Sequence, residues 1–541
     1  MHQALQIAEI VQSVFEDLRQ EDVLPMAMTC RTFLEPGLNR HWRKLSSLAQ
    51  ILACLPNDAF QSILSPQDPL GSTKVYIVTL LRALTAADLE RYRSQYSHRI
   101  RILDLNRKGQ SLTMFSVAAF QALQLVTNRL PGALSPKLKH FVWPDCSTEW
   151  LIGEDLHSVF LSSCVSLFLT KSVECFEIRS YSDDDTPVGI MSLNHALDNL
   201  DPSILKALSL DGDEMHPVVR SSIETVRWHQ LEQVEIRGDA GVLPMLGCLP
   251  SLSRLRLYEY ELEEQALPAS DASRPKSSFS TIPHSSFPCL TNFHLSASGT
   301  PAGVLDVLRC FPQGNAIKEL QLSGYESSFP TAGALFNTLR SHMNLSNLQS
   351  LTWTEKPSYG MVRCQRDPSS SEFDANPAID ISPLFSFKHL KSLDISINEN
   401  ICLTRAEASQ IPICWPEIRD LKLWCHSWRD VAVIDHTEIL SILRGCPGLK
   451  SLALRFDAST ITGDELGPTT SAFRLHSLLL DGDIPISSPS RVLQFLQTVF
   501  STQHLILKFV EGGLQNRETL LFQQRWKLVE ERWIDACEDR V

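Results

Sequence analysis

The sequence has few features of a secreted or membrane-spanning protein. It begins without a basic segment followed by an apolar run and a small-residue cleavage site, so it predicts no signal peptide. Its most apolar stretch, Val159 to Leu169, spans about eleven residues and contains three serines, whereas a membrane helix needs about 18 or more apolar residues. We therefore expect the protein to stay inside the cell, in the cytoplasm, the nucleus or both.

The sequence also lacks close pairs of metal ligands. Its 14 cysteines are scattered, and none stands in a Cys-x-x-Cys pair, the spacing with which one turn directs two thiolates at a zinc ion. A disulfide framework is expected only in a secreted chain. These absences predict buried thiols in a reducing compartment, and neither a metal site nor a cofactor.

Known catalytic signatures are missing as well. There is no phosphate-cradling glycine loop, no His-Glu-x-x-His helix and no Gly-x-Ser-x-Gly elbow. The acidic run Asp183 to Asp185 lacks the spaced oxygen ligands of a calcium loop and is typical of a solvated turn. We therefore expect a protein without enzymatic activity; the alternative, a hydrolase hidden in a repeat array, would require a compact pocket.

Basic residues are too few for a protein that coats nucleic acid. Lys and Arg together number 49 against 62 Asp and Glu, which gives a formal net charge of -13. Because nucleic-acid binding depends on cations that neutralise phosphates, this balance favours protein partners over DNA or RNA.

The first forty-odd residues predict three short helices. Apolar residues recur at helical spacing from Leu5 to Leu18, a second apolar set runs from Val23 to Leu34, and a third segment runs from Pro36 to Leu45. A module of about forty residues buries too little apolar surface to be stable alone. We expect it to bind a partner or, alternatively, to cap the first unit of a repeat array.

The segment from Ala4 to Trp42, ALQIAEIVQSVFEDLRQEDVLPMAMTCRTFLEPGLNRHW, resembles an F-box and is similar to the F-box-like leucine-rich-repeat proteins of mushroom-type fungi. It departs from the family's pattern at Ala8, where the family has proline, and at Phe33, where the family usually has tryptophan. In that family the helices dock on the Skp adaptor, which joins them to a cullin and a ubiquitin-charged enzyme. The resemblance implies adaptor contacts at Leu5, Ile7, Ile10, Phe15, Leu18, Val23, Leu24, Cys30, Arg31 and Trp42.

Beyond this module, a six-residue template recurs along a chain of 541 residues, which is too long for one compact domain. The template has apolar residues at its first, fourth and sixth positions. Its matches begin at Ile100, Leu138, Val173, Leu205, Leu231, Leu252, Leu290, Ile317, Leu348, Leu390, Ile418, Leu449, Leu475 and, more weakly, Thr502. Five matches have proline two residues ahead, at Pro136, Pro250, Pro288, Pro416 and Pro447, where chance predicts roughly one.

Apolar residues at helical spacing lie between the matches, for example at 304–311, 439–443 and 492–499. A helix, a proline that ends it and a short strand make up a leucine-rich-repeat unit. We predict an α/β fold: a short all-α F-box-like module at 1–46, a helical linker or cap at 47–97, and an irregular leucine-rich-repeat solenoid with a concave parallel sheet at 98–541. Another parallel solenoid and an all-helical array are the alternatives.

Composition predicts two loops and a closing helix within the repeats. The segments 267–286 and 366–377 are rich in serine and proline, which favours surface loops. Residues 518–534 predict an amphipathic helix that covers the last repeat.

Residues between the template's apolar positions face away from the core and form a candidate substrate surface. Arg, Tyr and Trp recur there, and these side chains often carry binding energy at interfaces, although ordinary solvated positions are an equal alternative. The candidates are Arg237, Arg254, Arg256, Tyr258, Asp420, Lys422 and Trp424.

Together with the resemblance, this surface predicts the substrate-recognition subunit of an SCF-type (Skp-cullin-F-box) ubiquitin ligase. The N-terminal helices would bind the Skp adaptor, and the repeats would bind a target protein. The alternative is a ligase-independent scaffold or inhibitor.

Overall fold

The computed structural model of the protein describes most of the chain and divides it into two compact units. The described residues are 7–64, 75–105, 112–143, 165–179, 196–211, 228–237, 242–260, 286–297, 301–325, 330–356, 379–397, 401, 403–425, 434–463, 473–481, 484–500, 505–510 and 517–538. The first unit is Met1–Gly238 with Leu249–Leu252, and the second is Asp239–Cys248 with Ser253–Val541.

Three helices open the first unit, as the apolar spacing predicts. They are α1 (Ala8–Asp17), α2 (Gln20–Ala27) and α3 (Arg31–Arg43). Extended backbone at Leu18 and Arg19 separates α1 from α2, and an extended Cys30 precedes α3. These breaks turn the apolar faces of three short helices toward one another.

The rest of the first unit alternates strands with short helices. In chain order the elements are β1 (Lys44–Leu45), α4 (Ala49–Leu52), β2 (Phe60–Leu64), β3 (Val75–Leu80), α5 (Ala86–Gln95), β4 (Ile102–Asp104), β5 (Leu112–Phe115), α6 (Val117–Val126), β6 (His140–Trp143), β7 (Cys175–Arg179), β8 (Ala207–Asp211) and β9 (Gln233–Arg237). A 3₁₀ helix, Ser97–Arg99, lies between α5 and β4.

The prediction of a helical linker at 47–97 is only partly right. Alongside α4 and α5, the segment contains β2 and β3, which pair antiparallel, and β5 extends this small sheet by pairing parallel with β3. The sequence of β3, VYIVTL, is rich in β-branched and aromatic residues, which favour an extended backbone. That composition, rather than helical periodicity, decides the structure here.

The main sheet of the first unit is parallel and follows chain order: β1, β4, β6, β7, β8, β9. One apolar residue from each strand lies in register with the next. This buried row is Leu45, Leu103, Phe141, Phe176, Leu208 and Val234. Because parallel neighbours need a crossover connection, each strand belongs to a separate repeat unit.

The described residues of the second unit form nine parallel strands, again in chain order, with helices in several of the connections. Its elements are α7 (Leu243–Leu246), β10 (Arg254–Tyr260), β11 (Asn292–Ala297), α8 (Pro301–Arg309), β12 (Glu319–Tyr325), α9 (Ala332–His342), β13 (Ser350–Lys356), β14 (Ser392–Ile397), α10 (Arg405–Cys414), β15 (Asp420–Cys425), α11 (His436–Gly445), β16 (Ser451–Ala453), β17 (Ser477–Asp481), α12 (Pro489–Val499), β18 (Ile506–Val510) and α13 (Arg517–Glu538).

The second sheet is held by the same kind of buried row. Its members are Leu255, Phe293, Leu320, Leu351, Leu393, Leu421, Leu452, Leu478 and Leu507. The row places one large apolar side chain per strand in a continuous core. A single repeat could not bury its apolar side chain without its neighbours.

The predicted repeat positions are confirmed strand by strand. Every match from Ile100 to Leu475 is followed, two residues later, by the first residue of a parallel strand. The weaker match begins at Thr502, outside the described residues, and β18 starts at Ile506. The leucine-rich repeat with a parallel sheet is therefore the fold of this chain, and an all-helical array is excluded.

The predicted connecting helices are also present. The three apolar segments correspond to α8, α11 and α12, and the closing helix is α13, which buries Trp526, Val529 and Trp533. The predicted loops at 267–285 and 366–377 and the acidic run Asp183 to Asp185 lie outside the described residues, whereas Ser286 is described and buried.

Candidate functional site

The N-terminal module, helices α1 to α3, has a complete core of its own. Val11, Phe15, Val23 and Ala27 are buried together, and Leu18, Met26 and Phe33 pack around them. The Phe15 and Phe33 rings meet edge to face at 6.0 Å. The module therefore does not need its outer apolar residues to fill its interior.

A glycine allows the close approach of α2 and α3. A Cβ atom at Gly37 would lie 2.3 Å from the Cβ of Ala27 and 3.1 Å from a ring carbon of Phe15. No real Cβ contact is that short, so only glycine fits at this crossing.

Helix α3 fixes the module onto the first repeat. Trp42 is buried and stacks on Tyr96 with the ring centroids 4.4 Å apart. The guanidinium of Arg99 donates to the Asn39 side chain and pairs with Glu35 at 2.8 Å. The chain then passes from α3 directly into β1, the first strand of the parallel sheet.

Large apolar side chains remain exposed on the module. Ile7 and Ile10 lie one helical turn apart, and so do Leu24 and Met28, which is 75% exposed. Leu34, near the start of α3, is also exposed. We call these five residues the exposed apolar set; the burial of a second protein surface against them would be favourable.

The structure separates the predicted adaptor contacts into three groups. Ile7, Ile10, Leu24 and Arg31 are exposed, Leu18 and Cys30 are half-buried, and Leu5 lies outside the described residues. Phe15, Val23 and Trp42 are buried, so they support the module's surface instead of contributing contact area. Met28 and Leu34 were not among the predicted contacts. Met28 could have been predicted, because it lies four residues after Leu24, on the same face at the end of α2.

The predicted substrate residues face outward but do not form one site. Arg254 and Arg256 are exposed on β10, while Tyr258 on the same strand is half-buried and meets the His294 ring edge to face at 5.8 Å. Arg237 is half-buried on β9 in the first unit. These residues are accessible to a partner.

The remaining predicted substrate residues lie on β15. Asp420, Lys422 and Trp424 are half-buried, and the Lys422 ammonium pairs with Asp394 at 2.8 Å. Four strands separate β15 from β10 in the sheet. At the usual spacing of neighbouring strands the two groups are about 24 Å apart, so one short peptide strand would not contact both groups at once.

A row of cations was missed at the second position of the template. In the first unit, the Arg101 amide donates to the Arg43 carbonyl at 2.9 Å, and the Lys139 amide donates to the Arg101 carbonyl at 2.8 Å. These bonds place three cationic residues side by side, each immediately before a strand of the sheet. Reading the residue after each template start would have found Arg101 and Lys139, whereas Arg43 precedes β1, where no template match was identified.

The same position repeats the pattern in the second unit. The Arg419 amide donates to the Lys391 carbonyl at 2.7 Å, and the Lys450 amide donates to the Arg419 carbonyl at 2.6 Å. Like charges on neighbouring strands repel each other, and no carboxylate among the described residues forms an ion pair with these three. An acidic partner would relieve that repulsion.

The described part of the chain holds no cluster of metal ligands. No group of three or more His, Cys, Asp or Glu side chains is arranged there to hold a metal ion. Within the same residues, no helix combines the length and the apolar character required to cross a bilayer. The described cysteines are free, and Cys248 and Cys289 are exposed, contrary to the prediction that all thiols are buried.

Comparison with known proteins gives a distant structural similarity and no match to a family model. No protein-family model matches the sequence, and no curated protein matches it. Among solved structures, an internalin from Listeria monocytogenes is similar at 12% identity, over 82% of this chain and 87% of the internalin, with a TM-score of 0.33. A similarity at this identity and TM-score says nothing about what the protein binds.

Proposed function

We propose that this protein is the substrate-recognition subunit of an SCF-type ubiquitin ligase. In this proposal the N-terminal module binds a Skp-family adaptor and, through it, a cullin, while the repeats bind a target protein. The chain itself performs no chemistry. It raises the effective concentration of a target lysine near a ubiquitin thioester that is formed elsewhere in the complex.

The exposed apolar set carries the proposal. Ile10, Leu24 and Met28 lie outside the module's buried core, and more than a third of each remains exposed and available to a partner. Placing large apolar groups in water is unfavourable, and several on so small a module are typical of a protein-binding surface. The resemblance of residues 4–42 to an F-box identifies the adaptor as the expected partner.

The outward faces of the strands support the second half of the proposal. Arg254 and Arg256 on β10, and Trp424 on β15, are residue types that often dominate binding energy. The row of Lys391, Arg419 and Lys450 favours a target with an acidic segment. Such a complex would form in the cytoplasm or nucleus, where ubiquitin ligases act.

A scaffold or inhibitor that works without a ligase remains the second candidate. The same outward faces would serve it equally well, so the two functions differ only in what the exposed apolar set binds. Adaptor binding therefore discriminates between them.

The test is the affinity of the full chain for a purified Skp adaptor, measured by isothermal titration calorimetry. We expect the double variant Ile10→Asp, Met28→Asp to bind about thirtyfold more weakly or worse, because each charge would be buried in an apolar interface. Both side chains are exposed in the free protein, so circular dichroism should be unchanged.

The matched control is Ile413→Asp, which changes a 69% exposed isoleucine on α10 in the second unit. It should bind the adaptor as the wild type does. Changes at Phe15 would not be informative, since Phe15 belongs to the module's core. Failure of the folded wild-type chain to bind the adaptor would refute the ligase proposal and favour the scaffold.

A further inference from the structure

A basic cleft lies where the N-terminal module meets the first strands of the sheet. It has a volume of about 390 Å³ and is entirely within the first unit. Six of its lining residues carry basic side chains: Arg43, His98, Arg99, Arg101, Lys139 and His140. The remaining lining residues, Gln12, Asn39 and Ile102, are uncharged, so no acidic side chain of the described residues lines the cleft.

Backbone hydrogen bonds hold the cations close together. Arg101 lies between Arg43 and Lys139 in the row of neighbouring strands described above. The His140 amide also donates to the Arg101 carbonyl, at 3.0 Å, which places the first residue of β6 beside Arg101 as well. The sheet therefore fixes the backbone positions from which these cationic side chains extend.

Carboxylates outside the cleft neutralise only part of this charge. Glu16 pairs with Arg43 at 3.3 Å, Glu35 pairs with Arg99 at 2.8 Å, and Glu174 lies 2.6 Å from Lys139. Glu174 is shared, since it also pairs with Lys206 at 3.1 Å. Positive charge is therefore in excess around the cleft.

Of the four arginine and lysine residues that line the cleft, Arg101 is the one without an acidic partner among the described residues. Its guanidinium donates to the backbone carbonyls of His98 at 2.7 Å and Ile100 at 3.0 Å. Burial lowers the pKa of Arg101, and the nearby charge of Arg43 lowers it further. Burial also lowers the pKa of His98, as do the charges of Arg99 and neighbouring cations. Burial is the larger cause of both shifts, and the like charges beside each group add to it.

We propose that this cleft binds a small soluble anion that carries two or more phosphate groups. Phosphate oxygens accept charge-assisted hydrogen bonds from arginine and lysine, and the neutral amides of Gln12 and Asn39 add donors on the module side. The cleft volume lies within the range of small-molecule sites. Cations contributed by α3, the 3₁₀ helix and β6 favour a ligand with more than one anionic group.

Such a ligand would join the module to the sheet. Arg43 and Asn39 belong to α3, whereas Arg101 and Lys139 immediately precede β4 and β6 of the first repeats. A bound polyanion would therefore stabilise the connection between them. The inference does not depend on adaptor binding, because the exposed apolar set does not line the cleft.

The probe is inorganic pyrophosphate, titrated into the full-length protein by isothermal titration calorimetry at low salt. We expect saturable binding at one site per chain, and stronger binding of tripolyphosphate than of orthophosphate. Lys139→Gln and Arg43→Gln should each weaken pyrophosphate binding about tenfold, since each removes a charge-assisted contact. Both side chains are about half exposed, so the variants should fold normally.

Lys171→Gln is the charge-matched control, because this exposed lysine does not line the cleft. It should leave the dissociation constant unchanged. Absence of saturable binding of pyrophosphate and tripolyphosphate would overturn the proposal. So would an equal loss in all three variants, because that would indicate non-specific attraction to positive charge.

Discussion

At the scale of single residues, burial distinguishes Cys446 from Cys248 and Cys289. Cys446 is buried, its thiol donates to the Trp415 carbonyl at 3.6 Å, and burial raises its pKa to about 11. Cys248 and Cys289 are exposed. Because the thiolate is the reactive form, Cys446 should be nearly inert at neutral pH.

This difference predicts the order of alkylation. With iodoacetamide at pH 8, Cys248 and Cys289 should be labelled first, while Cys446 should be labelled only after unfolding, because about one thiol in a thousand is ionised when the pKa is near 11. Mass spectrometry of tryptic peptides would measure the rates. Equal rates for Cys446 and Cys248 in the folded protein would contradict the described burial.

Single residues are also where sequence interpretation was weakest. Helical periodicity identified the apolar residues of the module, but it did not distinguish the buried Phe15 from the exposed Ile10. That distinction depends on how three helices cross, and the crossing depends on contacts such as that between Gly37 and Ala27, which no local pattern encodes. The sequence therefore predicted the module, but not which of its faces is free.

At the scale of elements, the strands were the most predictable feature. The template located β4 and β6 to β17 to the residue, because each repeats the same inward apolar positions in the same register. Strands β2, β3 and β5 form a separate small sheet outside the repeat, so the template has no match there. The only signal for β3 was its β-branched and aromatic composition.

The closing helix α13 gives a test of element packing. The Trp526 indole is buried and donates to the Ile484 carbonyl at 2.9 Å, so Trp526→Ala should destabilise residues 473–538 by about 3–5 kcal/mol. Native-state hydrogen exchange would measure the change locally.

Leu528→Ala, on the exposed side of the same helix, is the control and should change the stability by less than about 0.5 kcal/mol. A small effect of Trp526→Ala would mean that α13 does not seal the core of the last repeats.

At the scale of the whole molecule, each unit repeats one plan. Parallel strands follow chain order, and an unbroken apolar row runs through them, which is why a pattern of three apolar positions was enough to predict the fold. The sequence alone did not predict the candidate binding sites formed at this scale. The basic cleft depends on residues from Gln12 to His140 that come together only in the folded chain.

The most direct test of the account is a hydrogen-exchange footprint of the full chain with and without the Skp adaptor. The account predicts that adaptor binding slows exchange in residues 7–13 and 24–35, which carry the exposed apolar set. Exchange rates in β10 and β15 should not change, because these strands remain available to a target protein. Slowed exchange at β10 or β15, with no change in residues 7–35, would contradict it.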